Sequence, residues 1–161
     1  MRQAARHFRG IDAEYYLILA GDHVYRMDFG ELIESHIDRD ADITIAAQPV
    51  SADDATQMGI LRCDPSNQVV GFDEKPHAAR LDELRAKGPS GAAGSGLTPE
   101  KPFVASMGIY VFSRDVLHEV LARDRAIDFG KEIIPHALNT HRVQAHFYRG
   151  FWADVGTVQA F

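Results

Sequence analysis

The chain has 161 residues, 45% hydrophobic and 25% charged, the composition of one ordinary globular domain with apolar material enough for a sizeable core. A formal net charge of -6 argues against a nucleic-acid or anionic-membrane surface, yet a few placed cations could still hold a phosphorylated metabolite. A single cysteine, Cys63, rules out an internal disulfide and suits a reducing compartment. No apolar run reaches transmembrane length and the N-terminus lacks the apolar core of a signal peptide, so the expectation is a soluble intracellular protein with no membrane or nucleic-acid partner.

In chain order, residues 2–9 read as the tail of a helix and 14–20 as a strand. The near-continuous apolar run Tyr15-Tyr16-Leu17-Ile18-Leu19-Ala20 suits a central parallel strand covered on both faces. After the turn Gly21-Asp22-His23, apolar positions at Phe29, Leu32, Ile33 and Ile37 predict a helix from Phe29 to Arg39, with Asp28 as its N-cap. Asp42 to Gln48 reads as a second buried strand, and strand–helix–strand in this order implies a right-handed parallel crossover. Met58 to Cys63 and Gln68 to Phe72 flank the turn sequence Asp64-Pro65-Ser66-Asn67 and predict a hairpin. Ala79 to Lys87 suits a short polar helix, and Gly88 to Pro102, rich in Gly, Pro and Ser, a mobile surface loop. A strand over Val104 to Phe112 is followed by a helix starting at Ser113 or Asp115 and running to about Ala122. Asp128 caps a further helix reaching Leu138, and the alternating run Arg142 to Tyr148 is the last strand before Trp152. The alternation makes α/β the fold class. Such a sheet normally begins with a βα unit carrying a phosphate loop; this chain opens on a helix, so the expectation is that a segment is missing upstream.

Several motifs offer chemistry. Asp22 and Asp154 each stand just past a strand-like run, where an open α/β sheet binds ligands. Taken alone such an Asp is more often structural, but two together could share a divalent cation, since Mg²⁺ usually takes one or two carboxylates plus substrate phosphates. In Glu74-Lys75-Pro76 the ammonium could hold a phosphate as a point charge and the carboxylate could accept bonds from sugar hydroxyls; a solvated charged turn is the plainer alternative. Gly59 opens a strand and marks either a bulge or close approach of a ligand to the backbone. Ser106, early in its strand, offers a hydroxyl that could equally be satisfied locally. The run Gly91-Ala92-Ala93-Gly94-Ser95-Gly96 is a linker rather than a phosphate loop, because it joins no apolar strand to a helix. The histidines and Cys63 lack zinc-site spacing, and no serine sits in a nucleophile elbow.

Six segments in this order resemble the ADP-glucose pyrophosphorylase (glucose-1-phosphate adenylyltransferase) family. They are Leu19-Ala20-Gly21-Asp22-His23-Val24-Tyr25, Met58-Gly59-Ile60, Val70-Gly71-Phe72-Asp73-Glu74-Lys75-Pro76, Ala105-Ser106-Met107-Gly108-Ile109-Tyr110-Val111-Phe112, Asp128-Phe129-Gly130-Lys131-Glu132-Ile133-Ile134-Pro135 and Trp152-Ala153-Asp154-Val155-Gly156-Thr157. The resemblance implies a Rossmann-like fold of the nucleotide-sugar transferase type, with a mixed, mostly parallel sheet. It implies Mg²⁺ held by Asp22 and Asp154, and glucose 1-phosphate bound by Glu74 and Lys75 in a pocket that Gly59 and Ser106 line. Asp22, Lys75 and Asp154 are then the catalytic residues. The implied reaction joins ATP and glucose 1-phosphate into ADP-glucose and pyrophosphate, for glycogen or starch biosynthesis.

The departures also matter. The family's Gly-rich N-terminal signature and its C-terminal left-handed β-helix have no counterpart here. The chain therefore reads as one partial nucleotidyltransferase domain over residues 1–161, with a flexible loop at about 88–102, and weakly active or inactive alone. Absent central strands would leave an apolar sheet edge unpaired, a place for self-association. Family members are homo- or heterotetramers and cytoplasmic, or plastid in plant-type sources. A uridylyl-, thymidylyl- or guanylyltransferase of the same fold is one alternative. A non-catalytic sugar-phosphate-binding or regulatory subunit working with a complete partner is another.

Overall fold

The computed structural model describes residues 12–86, 95–123 and 128–154. The expected helix over 2–9, the 88–94 part of the expected loop and the Val155-Gly156-Thr157 end of the last motif lie outside these residues. Strands β1 (Tyr15–Leu19), β3 (Ile43–Val50), β4 (Gly59–Cys63), β5 (Val69–Glu74), β6 (Phe103–Ser113) and β7 (Val143–Phe147) form one sheet. Strands β2 (His23–Tyr25) and β8 (Trp152–Asp154) form a separate two-stranded ribbon. The helices are α1 (Phe29–Asp38), α2 (Ala52–Ala55), α3 (Ala78–Ala86), α4 (Arg114–Arg123) and α5 (Ile134–Ala137), the last entered through a π-helical turn, Phe129–Ile133.

β6 organises the sheet. β3 pairs antiparallel along its whole length, from Ile43↔Phe112 to Val50↔Phe103. The opposite edge is divided: β4 pairs with the first half of β6 (Leu61↔Val104, Ile60↔Ala105), and β1 with the second (Leu19↔Ile109 to Tyr15↔Ser113). Between the halves β6 bulges. Its register with β3 jumps from Ala47↔Ser106 to Ile45↔Tyr110, so Met107, Gly108 and Ile109 together face Ala46, and Gly108 takes a φ of +67° that glycine accepts without strain.

The mixed α/β class expected of the sequence is the one found, with a smaller parallel share than expected. β3–β7 is the parallel pair, and the other pairs in this sheet are antiparallel. The reason is that β1 and β3 run the same way but with β6 inserted antiparallel between them. β1 is correspondingly half-buried rather than central, and Leu19 is 42% exposed.

Alternation sorts the strand residues to two faces. Ile43, Ile45, Tyr110 and Phe112 pack under α4 and α5 through Leu117, Val120, Ile134 and Ala137. Ala46, Met107, Ile109 and Val111 pack under α1 through Leu32. Asp28 caps α1 as expected, accepting from Gly30 N at 2.8 Å. The apolar stripe of α1 differs by one place, since His36 is 1% exposed and Ile37 49%. From Phe29, spacings of three, four and seven lead to Leu32, Ile33 and His36, so Ile37 falls at the margin. The hairpin forms as read: Asp64 Oδ1 accepts from Ser66 N at 2.8 Å, Ser66 Oγ at 2.7 Å and Gln68 N at 3.0 Å, and Asn67 takes a φ of +67°. The helix expected from Asp128 starts as a π turn, with Asp128 Oδ1 accepting from Lys131 N at 2.9 Å. α2, capped by Ser51, has no counterpart in the sequence reading. Among the described residues no helix is long and apolar enough to cross a membrane.

Candidate active site

A cavity of about 340 Å³ opens where the far edge of β6 passes from β4 to β1. That places it within the volume range of small-molecule sites, about 300–1,000 Å³. Its sides come from the end of β1 (Ile18 to Ala20), the start of β4 (Met58, Gly59) and the end of β5 (Phe72, Glu74, Lys75). β6 contributes Ser106, Gly108 and Tyr110, the π turn Asp128, Phe129 and Gly130, and the ribbon His23 and Trp152. All four residues read from the sequence as substrate-binding, namely Gly59, Glu74, Lys75 and Ser106, line this one cavity.

Gly59 pairs across the hairpin with Glu74. A Cβ on Gly59 would overlap the Phe72 ring and stand 3.0 Å from Glu74 Oε2; a Cβ on Gly130 would stand 2.6 Å from the same oxygen. The carboxylate thus lies between two glycines: a side chain on Gly130 would displace it, and one on Gly59 would press first on the Phe72 ring. Burial, and next the Asp128 carboxylate, raise the Glu74 pKa, against an opposite pull from Lys75 and Lys131. Lys75 is exposed, with a φ of +45° unusual for a residue with a Cβ, and its N–H donates to Met58 O at 3.0 Å. Strain of this kind gathers where an exact side-chain direction is needed. Ser106 is satisfied locally, as the plainer reading of it expected: Oγ accepts from Gly108 N at 3.2 Å and donates to Tyr110 OH at 3.4 Å. Tyr110 stacks on Phe129 with centroids 5.5 Å apart, and burial raises its pKa.

The two aspartates sit beside the cavity on the ribbon. Asp22 immediately precedes β2, and Asp154 ends β8 in register with His23, so the two backbones lie one register step apart. The Asp22 side chain is 60% exposed, with Oδ1 3.5 Å from His23 Nε2. Among the described residues no three His, Cys, Asp or Glu side chains gather as a metal cluster. The exposed Asp22 carboxylate is a hard oxygen donor of the kind Mg²⁺ takes, one or two such groups sufficing beside water and substrate phosphates.

The chain matches the nucleotidyl transferase family over residues 1–161. It belongs to that family. For a nucleotidyl transferase the cavity's mixture of one lysine, two carboxylates and hydroxyls suits a charged, polyhydroxylated substrate. Tyr110, Asp128, Phe129, His23 and Trp152 line the cavity without having been expected there, although each stands inside one of the motifs, Asp128 as a helix cap. Tyr110 was the most accessible of them, four residues beyond Ser106, an even spacing that puts both on one face of a strand. The approach of the π turn to β5 had no local signal.

Proposed function

We propose that residues 1–161 form the sugar-phosphate-binding part of a sugar-1-phosphate nucleotidyltransferase making ADP-glucose and pyrophosphate from ATP and glucose 1-phosphate, a step supplying glycogen or starch synthesis. The observation that carries this reading is the convergence of Gly59, Glu74, Lys75 and Ser106, nominated from separate motifs, on one cavity of about 340 Å³. Lys75 holds the phosphate as a point charge, and Glu74 accepts bonds from sugar hydroxyls. Gly59 offers backbone without a Cβ, and Ser106 its hydroxyl. An oxygen of the sugar phosphate attacks the α-phosphorus of ATP in line; the new O–P bond forms as the bond to pyrophosphate breaks. Asp22 and Asp154 would hold Mg²⁺, which when bound would neutralise charge on the phosphates. The chain's own work is positioning, which needs no covalent intermediate on the enzyme.

Calorimetric titration of the folded chain with glucose 1-phosphate and Mg²⁺ tests this. Saturable binding is expected, and Lys75→Ala should weaken it by about 1.5–3 kcal/mol, the range for a charged hydrogen bond. A folded wild-type chain that takes up no glucose 1-phosphate overturns the reading. Competition among nucleoside triphosphates tests the choice of ATP, and a preference for UTP, dTTP or GTP would move the protein to a neighbouring branch.

A further inference from the structure

Among the described residues that line the cavity, His23 stands beside both aspartates in the backbone, following Asp22 in the chain and pairing with Asp154 across the ribbon. Its backbone pairs with Asp154 and its Nε2 faces Asp22 Oδ1 at 3.5 Å. Its side chain is 11% exposed, and the ring meets Trp152 edge-on with centroids 5.2 Å apart. On another side it lies against Gly108, where a Cβ would come 2.9 Å from His23 Cε1. An imidazole packed in this way has little freedom to turn. Nδ1 is buried without a hydrogen-bond partner. A buried N–H left unpaired is rarer than an unpaired acceptor, so the favoured tautomer leaves Nδ1 bare and carries the proton on Nε2, whose 3.5 Å approach to Asp22 Oδ1 falls short of a hydrogen bond.

We propose that His23 is a positioning residue: its Nε2, held 3.5 Å from Asp22 Oδ1 by the packing of the ring on Gly108 and Trp152, closes to a hydrogen bond when a divalent cation binds and so fixes the rotation of the Asp22 carboxylate. The proposal rests on the reading of Asp22 as a cation ligand. An imidazole beside a ligand carboxylate is the kind of outer partner whose loss typically costs 10–100-fold in metal affinity. It leaves Asp22 Oδ2 to the cation and assigns Nδ1 no contact with the substrate.

Two amides separate the nitrogens, because glutamine places its N–H near the position of Nε2 and asparagine near that of Nδ1. The probe is Mn²⁺ bound to the folded chain in the presence of glucose 1-phosphate, read from the electron paramagnetic resonance of the free ion, with thermal unfolding of each variant as a check on folding. His23→Gln should stay within about threefold of wild type, and His23→Asn and His23→Phe should each weaken Mn²⁺ binding at least about tenfold. Equal affinity in all three variants, or loss in Gln with retention in Asn, overturns the proposal. Asp22→Asn tests the reading beneath it. If that variant binds Mn²⁺ as wild type does, the cation-ligand reading fails; if it loses Mn²⁺ while His23→Phe keeps it, only the positioning role fails.

Discussion

At the residue scale, the cavity keeps a carboxylate where folding alone would not put one. Glu74 occupies the room that the missing side chains of Gly59 and Gly130 leave, and burial with Asp128 raises its pKa. A carboxyl whose folded pKa lies above the unfolded value contributes stability that is full below the unfolded pKa and lost as pH rises through the folded one. At neutral pH the ionised group is therefore a liability. Glu74→Gln should raise the Tm near neutral pH, and the gain should vanish below the ordinary value of 4.5, where both forms are neutral. The same variant should bind glucose 1-phosphate more weakly, a trade of function against stability that Tm and calorimetry together would reveal. A Tm difference that does not change across that pH range would deny that the buried charge is costly. Glu74 and Lys75 were legible as chemistry because they are charged residues beside a proline at a strand end. The room for Glu74 was not, because the glycines that leave it stand 15 residues before Glu74 and 56 after it in the chain.

At the scale of elements, the bulge in β6 does most to shape the site. It lies where the partner on one edge changes from β4 to β1, and it turns Gly108 toward His23 and Ala20. Gly108→Ala meets a double obstacle, a φ of +67° and a Cβ 2.9 Å from His23 Cε1. Gly96→Ala isolates the backbone part, because Gly96 has a φ of +75° but among the described residues its Cβ would meet only Pro49 Cγ, at 3.5 Å. In urea titrations Gly96→Ala should cost about 1–2 kcal/mol, the left-handed penalty, and Gly108→Ala clearly more. Equal costs would mean that His23 yields freely. Helix and strand positions were legible from periodicity and caps, as Asp28 and Asp64 illustrate. The bulge was not, since Ser106-Met107-Gly108-Ile109-Tyr110 reads as an ordinary strand until its register against β3 is known.

At the scale of the whole molecule, His36 ties helix to sheet. Its Nδ1 meets Thr44 Oγ1 at 2.7 Å and its Nε2 meets Ser113 Oγ at 3.1 Å, while Ser113 Oγ donates to Ala41 O at 3.2 Å. Ser113 then accepts from Nε2–H, Thr44 donates to Nδ1, and the network holds a neutral imidazole. Burial lowers the His36 pKa below 6.5, against a smaller upward pull from Asp42. The unfolded chain thus takes the proton first, so this stability is full above the ordinary value and lost as pH falls toward the folded one. Unfolding free energy should decline below pH 6.5, with a shallower slope in His36→Gln whatever that variant's absolute stability. Thr44→Val should cost about 1–3 kcal/mol by leaving Nδ1 unpaired. The sequence by itself determined the α/β class, most element positions and several residues that line the cavity, because these follow from local periodicity, capping and side-chain chemistry. Only the tertiary structure decided that β6 lies between β1 and β3, that the π turn meets β5, and that His23 pairs with Asp154 across the β2–β8 ribbon. Each of those depends on contacts between segments far apart in the chain, whose pairing no local pattern encodes.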